Sequence, residues 1–455
     1  MKNKSIKTVI AVKKMAKVSL LAVSFSLAPA LLSPISQGLG LASFTIGQVQ
    51  ADSDEAKASE KKYKTKKSYS LRQKVFKDFA KVQKKTEKED WQGALTVLKD
   101  IEENKSRKYK SFEKANLWNY FAWINYSLDN YPKAIHYYEK VLKEEQINDA
   151  LKLGTMYTLA QLKFAKEDFP SGIKLLKEWM TLQPIVGADA YVLLAQGYYQ
   201  LGEMSSSLVN VTKAVDRYES KGKVPKENWY ALQRAIYYDK GNNKKVISVL
   251  EKMVKHYSKP TYWKQLSGMY GSVNREKDQL HALETAYLMN AVTKEKELMN
   301  LAYLFMGAEA PYKAAKIIEK GMKAKQIEET SKNLEVLATA WRLSQEVEKS
   351  IPAMEKSAKK SDKGDLYARL AGIYLDTDQY KKAVSSGEIA LKRGGVKRID
   401  QLNIVLGMSL VSQGKYTESL RYFKAAAKDE RSEHFASQWA DFARSELKRE
   451  EQLNI

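Results

Sequence analysis

The hydrophobic positions along the chain repeat with a helical period. Tyr367, Leu370, Ala371 and Tyr374 fall at i, i+3, i+4 and i+7, and Tyr380, Ala383 and Ala390 follow after a short polar break. This spacing predicts an amphipathic helix, a turn and a second helix. Leu406, Gly407, Leu410, Tyr416, Phe423 and Ala426 repeat the unit, with Gly414 and Lys415 in the break. Earlier copies are Trp118, Phe121, Ala122, Tyr131, Ala134 and Tyr138, then Leu159, Ala160, Phe169, Leu176 and Pro184, then Tyr191, Leu194, Ala195, Tyr198, Gly202 and Ala214. Weaker copies carry Trp229 with Leu232, Trp263 with Leu266, Tyr270 and Ala286, Leu301 with Ala302 and Ala314, and Leu334 with Leu337, Ala338 and Trp341. A half-copy at the N-terminal side has Trp91, Ala94 and Leu98.

One anchor per unit gives Trp91, Tyr131, Phe169, Met204, Asn243, Glu276, Pro311, Val347, Tyr380 and Tyr416, in steps of 33 to 40 residues. Loops of varying length between hairpins of constant size produce such drift. Small residues such as Ala122, Ala160, Ala195, Ala371 and Gly407 let two helices approach, and large residues beside them fill the seam. A single hairpin cannot bury its apolar face alone, so the units must stack. The last segment carries Phe435, Trp439 and Phe442 on one stripe and a charged remainder, the pattern of a terminal helix with a polar outer face.

The pattern resembles the tetratricopeptide repeat, W-x2-L-G-x2-Y followed by Ala, Phe and a closing Pro at a period of about 34 residues. The resemblance implies an all-α, right-handed α-solenoid of about ten hairpins over 70–430, with a C-terminal capping helix at 431–455. Few prolines and glycines, 9 and 22, suit that class.

Residues 1–51 hold six lysines and no acid, an apolar run from Val18 to Leu32, and Val49-Gln50-Ala51 before the first acids. That is the layout of a signal peptide cleaved after Ala51 and predicts a periplasmic mature chain. An uncleaved inner-membrane anchor is the competing reading, but the run is shorter than the ~20 residues of a spanning helix. The chain has no cysteine, which removes a disulfide framework and thiol chemistry. Its net charge is +23. Residues 52–69 read as a basic flexible arm, suited to weak contact with anionic lipid or cell wall. No nucleic-acid module or interleaving of basic residues with base-stacking aromatics appears there.

Chemistry is sparse. His136, His256, His281 and His434 are too dispersed for a histidine-pair metal motif, so no metal or cofactor is expected. Tyr416 follows Gly414-Lys415 where a phosphate loop needs Ser or Thr. Ser171-Gly172-Ile173-Lys174 satisfies S-x-x-K but lies within a predicted helix of a lysine-rich chain. The expectation is a protein that is not an enzyme.

In tetratricopeptide arrays the first helix of each hairpin lines the ligand groove, through residues just outside its packing seam. Here those positions are Asn119, Trp123 and Tyr126, then Tyr157, Gln161 and Phe164, then Gln196 and Tyr199, and finally Tyr230, Arg234, Tyr237 and Tyr238. Aromatics among amides suit an extended peptide or a partner helix. Some of these rings are expected to pack against neighbouring repeats instead. In the C-terminal units the equivalent face is apolar, with Ala368, Gly372, Leu375, Ile404, Met408 and Val411.

Trp263-Lys264-Gln265-Leu266 with Met269-Tyr270 and Glu284-Thr285-Ala286-Tyr287 is similar to the periplasmic tetratricopeptide proteins found with TonB-type energy-transduction systems. That resemblance implies an accessory of outer-membrane iron or haem uptake, working with a TonB, ExbB and ExbD inner-membrane complex. The alternatives are an envelope assembly factor or chaperone-like adaptor for outer-membrane proteins or polysaccharide export, and an enzyme with an unrecognised site. A cytoplasmic-facing anchored adaptor would need the cysteine-rich metal module that this chain lacks.

Overall fold

The structure is a computed structural model that describes residues 69–453 apart from 105 and 107. The signal peptide and nearly all of the basic arm lie outside the described residues. The chain is an all-α solenoid of tetratricopeptide-like hairpins, and the contacts of the described residues cluster into two compact units that divide between Tyr257 and Ser258.

Among the described residues the first unit holds five hairpins, each a first helix paired with a second. They are α1 (Gln73–Thr86) with α2 (Trp91–Glu103), α3 (Ser111–Ser127) with α4 (Tyr131–Lys143), α5 (Asp149–Ala165) with α6 (Phe169–Thr181), α7 (Ala188–Gln200) with α8 (Met204–Glu219), and α9 (Glu227–Asp239) with α10 (Asn243–Tyr257). The second unit holds α11 (Pro260–Gly271) with α12 (Glu276–Leu288), α13 (Glu295–Gly307) with α14 (Pro311–Lys323), α15 (Ser331–Leu343) with α16 (Val347–Lys359), α17 (Asp365–Asp376) with α18 (Tyr380–Arg393), and α19 (Ile399–Val411) with α20 (Tyr416–Ala426). The final helix, α21 (Glu430–Leu453), follows them.

Every anchor of the repeat phase is the first residue of a second helix. The reason is a turn built the same way each time. Two residues before each second helix stands a left-handed residue: Glu89, Asp129, Glu167, Gly202, Gly241, Asn274, Glu309, Gln345, Asp378 and Gly414, with φ between 55° and 78°. The residue after it donates its N–H to the carbonyl five positions back, as in Asn130 to Asn125 at 2.8 Å and Lys415 to Leu410 at 2.9 Å. This is the wide bond of a Schellman ending, which satisfies carbonyls that the terminating helix leaves open. Asp90, Asn130 and Asp168 then cap the next helix, accepting from the N–H groups of Gly93, Lys133 and Ser171.

The seam residues do what their size requires: Ala122, Ala160, Ala195 and Ala371 are fully buried. A Cβ built at Gly407 would sit 2.5 Å from Cε1 of Phe423, so a glycine is needed for that ring to lie flat in the seam. The terminal helix departs from expectation. It docks through Ser432, Ala436, Ala440 and Ala443, while Phe435 and Phe442 of its aromatic stripe are exposed. Small residues win the contact because they allow α21 to approach closely. Trp439, at the edge of that contact, stacks 6.2 Å from Phe423.

Candidate functional site

The predicted groove residues lie on α3, α5, α7 and α9, all within the first unit. In each helix they occupy the same places relative to the seam. Trp123 and Tyr126, Gln161 and Phe164, Gln196 and Tyr199, and Arg234 and Tyr237 are i, i+3 pairs, which share a helix side.

The structure divides this set by burial. Trp123 is buried and meets Trp91 edge-on at 5.4 Å, so it belongs to the seam of the first two hairpins. Asn119 and Tyr157 are also buried, and Tyr157 lies 4.8 Å from the ring of Trp179. Phe164 fills a slot made by two glycines: a Cβ at Gly197 would stand 2.2 Å from its ring, and one at Gly172 would stand 2.9 Å away. Tyr230 is fully buried, and its hydroxyl donates to Glu219 Oε1 at 2.7 Å. Burial and the Glu219 carboxylate push the Tyr230 phenol pKa up. These five side chains are buried and turn little of their surface to solvent.

Tyr126, Gln161, Gln196, Tyr199, Arg234 and Tyr237 are half-buried, and Tyr238 beside them is exposed. Tyr126 leans on Tyr131 with centroids 5.9 Å apart, and partial desolvation together with Asp129 raises its pKa. The Tyr199 hydroxyl donates to Asp239 Oδ2 at 3.4 Å, a contact that joins α7 to the end of α9. Desolvation, and then Asp239, holds the Tyr199 phenol protonated above its usual range. These are amphipathic rings anchored at one end and wet at the other, with amides and a guanidinium between them. The arrangement can stack on side chains and pair with peptide groups.

Among the described residues no group of three His, Cys, Asp or Glu stands ready to hold a metal ion. No helix among them is long and apolar enough to cross a membrane. In the second unit, Ala368, Gly372, Leu375, Ile404 and Met408 are half-buried and Val411 is buried. A concavity that the sequence reading missed lies between α12 and α14, lined by four lysines of α14. Its signal in the sequence was the spacing Lys313, Lys316, Lys320, Lys323 beside Tyr312 and Ile317, which reads equally well as a solvated face.

No protein-family model matches the chain, and no curated protein matches it. Solved structures similar to parts of it include a crystal structure of MamA, 16% identical over 38% of this chain and 93% of that one, with a TM-score of 0.32. YrrB, described as a TPR protein with an unusual peptide-binding site, is 16% identical over 41% of this chain and 89% of its own, with a TM-score of 0.31. The TPR2AB domain of yeast Sti1, solved as a pHSP90 complex, is 14% identical over 56% of this chain and 98% of that one, with a TM-score of 0.32. The hairpin geometry above, not these distant likenesses, defines the fold.

Proposed function

We propose that the chain is a non-enzymatic scaffold that holds an extended peptide or partner segment along the exposed edge of α3, α5, α7 and α9. The observation that carries this is the column of half-exposed rings Tyr126, Tyr199 and Tyr237, interleaved with Gln161, Gln196 and Arg234 on one side of successive first helices. Rings with two rotatable bonds bind at low entropic cost, and amides can pair with a peptide backbone. In-cell photocrosslinking followed by pull-down tests it. The Tyr126→Ala, Tyr199→Ala, Tyr237→Ala triple variant is expected to lose the proteins that wild type captures while keeping its helical content. Full capture by a folded triple variant removes the face from consideration.

Within the scaffold reading, a periplasmic role beside TonB-dependent transport has two supports. They are the resemblance of the middle repeats around Trp263 and Tyr287 and the signal-like first 51 residues. Recovery of ExbB- or ExbD-type proteins with crosslinked wild type supports that narrower role. Their absence, with other envelope proteins captured, transfers the scaffold to the assembly-factor reading.

A further inference from the structure

The cleft between α12 and α14 lies in the second unit, apart from the face just described. Its volume is about 470 Å³, within the roughly 300–1,000 Å³ of ligand pockets. Its floor is apolar: Tyr287 and Leu288 from α12, Phe305 from α13, and Tyr312 and Ile317 from α14. Phe305 is buried, but Leu288 is 73% exposed and Tyr312 47% exposed. A lone exposed leucine says little, whereas several large apolar side chains converging on one concavity mark an unfilled contact. The cleft opens where the packing of α13 on α12 is the sparsest of the junctions between successive hairpins in this unit.

The rim is cationic. Lys313, Lys316, Lys320 and Lys323 stand at i, i+3, i+7 and i+10, a stripe about 15 Å long on one side of α14. Among the described residues two carboxylates line the site. Glu284 pairs with Lys313 at 2.9 Å, and Glu319 lies between Lys316 at 3.4 Å and Lys323 at 3.6 Å. Lys320 makes no ion pair among the described residues, and its ammonium lies 5.8 Å from the Tyr287 ring centroid. Four ammonium groups against two carboxylates leave uncompensated positive charge directly above an apolar floor. The complement is a ligand with apolar side chains on one face and carboxylates flanking them. About ten helical residues span the lysine stripe, so a helix can present both features at the needed spacing.

We propose that this cleft docks an acidic amphipathic helix of a partner protein, its apolar residues seated on Tyr287, Leu288 and Tyr312 and its carboxylates on Lys316 and Lys320. The test is fluorescence anisotropy with the whole protein and a fluorescein-labelled helical peptide of Leu, Ala and Glu. The same peptide with Lys for every Glu serves as a second probe, and laurate as a third. The acidic peptide binds saturably, and its affinity drops about tenfold or more in Lys316→Glu/Lys320→Glu and in Leu288→Asp. The basic peptide gains affinity for the charge-reversed variant. All three altered positions are exposed, and circular dichroism checks that the variants keep their fold. Tyr199→Ala/Tyr237→Ala leaves this binding unchanged, which separates it from the face of the first unit. Affinity for the acidic peptide that neither variant alters, or equal binding of the basic peptide to wild type, overturns the proposal. So does tight laurate binding without peptide binding, because the ligand would then be an anionic amphiphile.

Discussion

At the scale of single residues, the fate of an aromatic depends on what stands opposite it. Phe164 and Tyr199 hold the same place in successive first helices, yet one is buried and the other half-exposed. Gly172 and Gly197 create the slot that draws Phe164 inward. Periodicity in the sequence identifies the helix side but not the partner across the seam, which is why five of the proposed groove residues are buried beside neighbouring helices. The glycines were a readable signal, because each lies where its own helix would otherwise favour a side chain. Gly197→Ala is therefore expected to destabilise the protein by about 1–3 kcal/mol through overpacking. Gly372, with open space where its Cβ would stand, is the contrast: Gly372→Ala should stabilise it by about 0.5–1 kcal/mol through helix propensity. Urea denaturation of both variants checks the opposite signs. Equal effects would show that the Phe164 slot yields without cost.

At the scale of elements, the turn explains why the repeat phase was legible while its turns carried no consistent motif. The left-handed position is Gly in Gly202, Gly241 and Gly414 but Glu, Asp, Asn or Gln in the other hairpins. What recurs is backbone geometry, and the sequence shows it only as an interval between apolar patterns. The last helix is held differently. The Asp400 carboxylate, buried at the start of α19, accepts from Arg398 at 2.6 and 3.0 Å and from the Ser432 hydroxyl of α21 at 2.7 Å. The Arg398 fork holds its pKa well below the usual carboxylate range, burial opposes this, and Ser432 adds to it. A depressed folded pKa contributes stability that is present above the unfolded value of about 4 and is lost as pH falls from there towards the folded value. Acidification below about pH 4 should loosen α21 first, read as a Trp439 emission change taken by difference from Trp439→Phe. In Asp400→Asn the acid-dependent part of that change should vanish. An identical profile in the two proteins would assign the docking of α21 to its small-residue contact alone.

For the whole molecule, the sequence predicts one continuous array, because the interval between anchors is no different at residues 243–276 from elsewhere. Within that array contacts gather into two units, each with its own buried clusters. Stability in stacked hairpins is a sum of local and nearest-neighbour terms, so cooperativity extends only as far as the interfaces are strong. Two units of this kind predict a calorimetric unfolding enthalpy larger than the van't Hoff value, with two resolvable transitions. Single truncations assign them. Phe164→Ala removes a buried ring from the first unit and Phe423→Ala one from the second, and each should cost about 3–5 kcal/mol in its own unit. Phe164→Ala should lower one transition and leave the other in place, and Phe423→Ala should do the reverse. A single transition lowered equally by both would mean that the array unfolds as one cooperative body. The two proposed binding surfaces would then be coupled through its stability, and a ligand on one would stiffen the other.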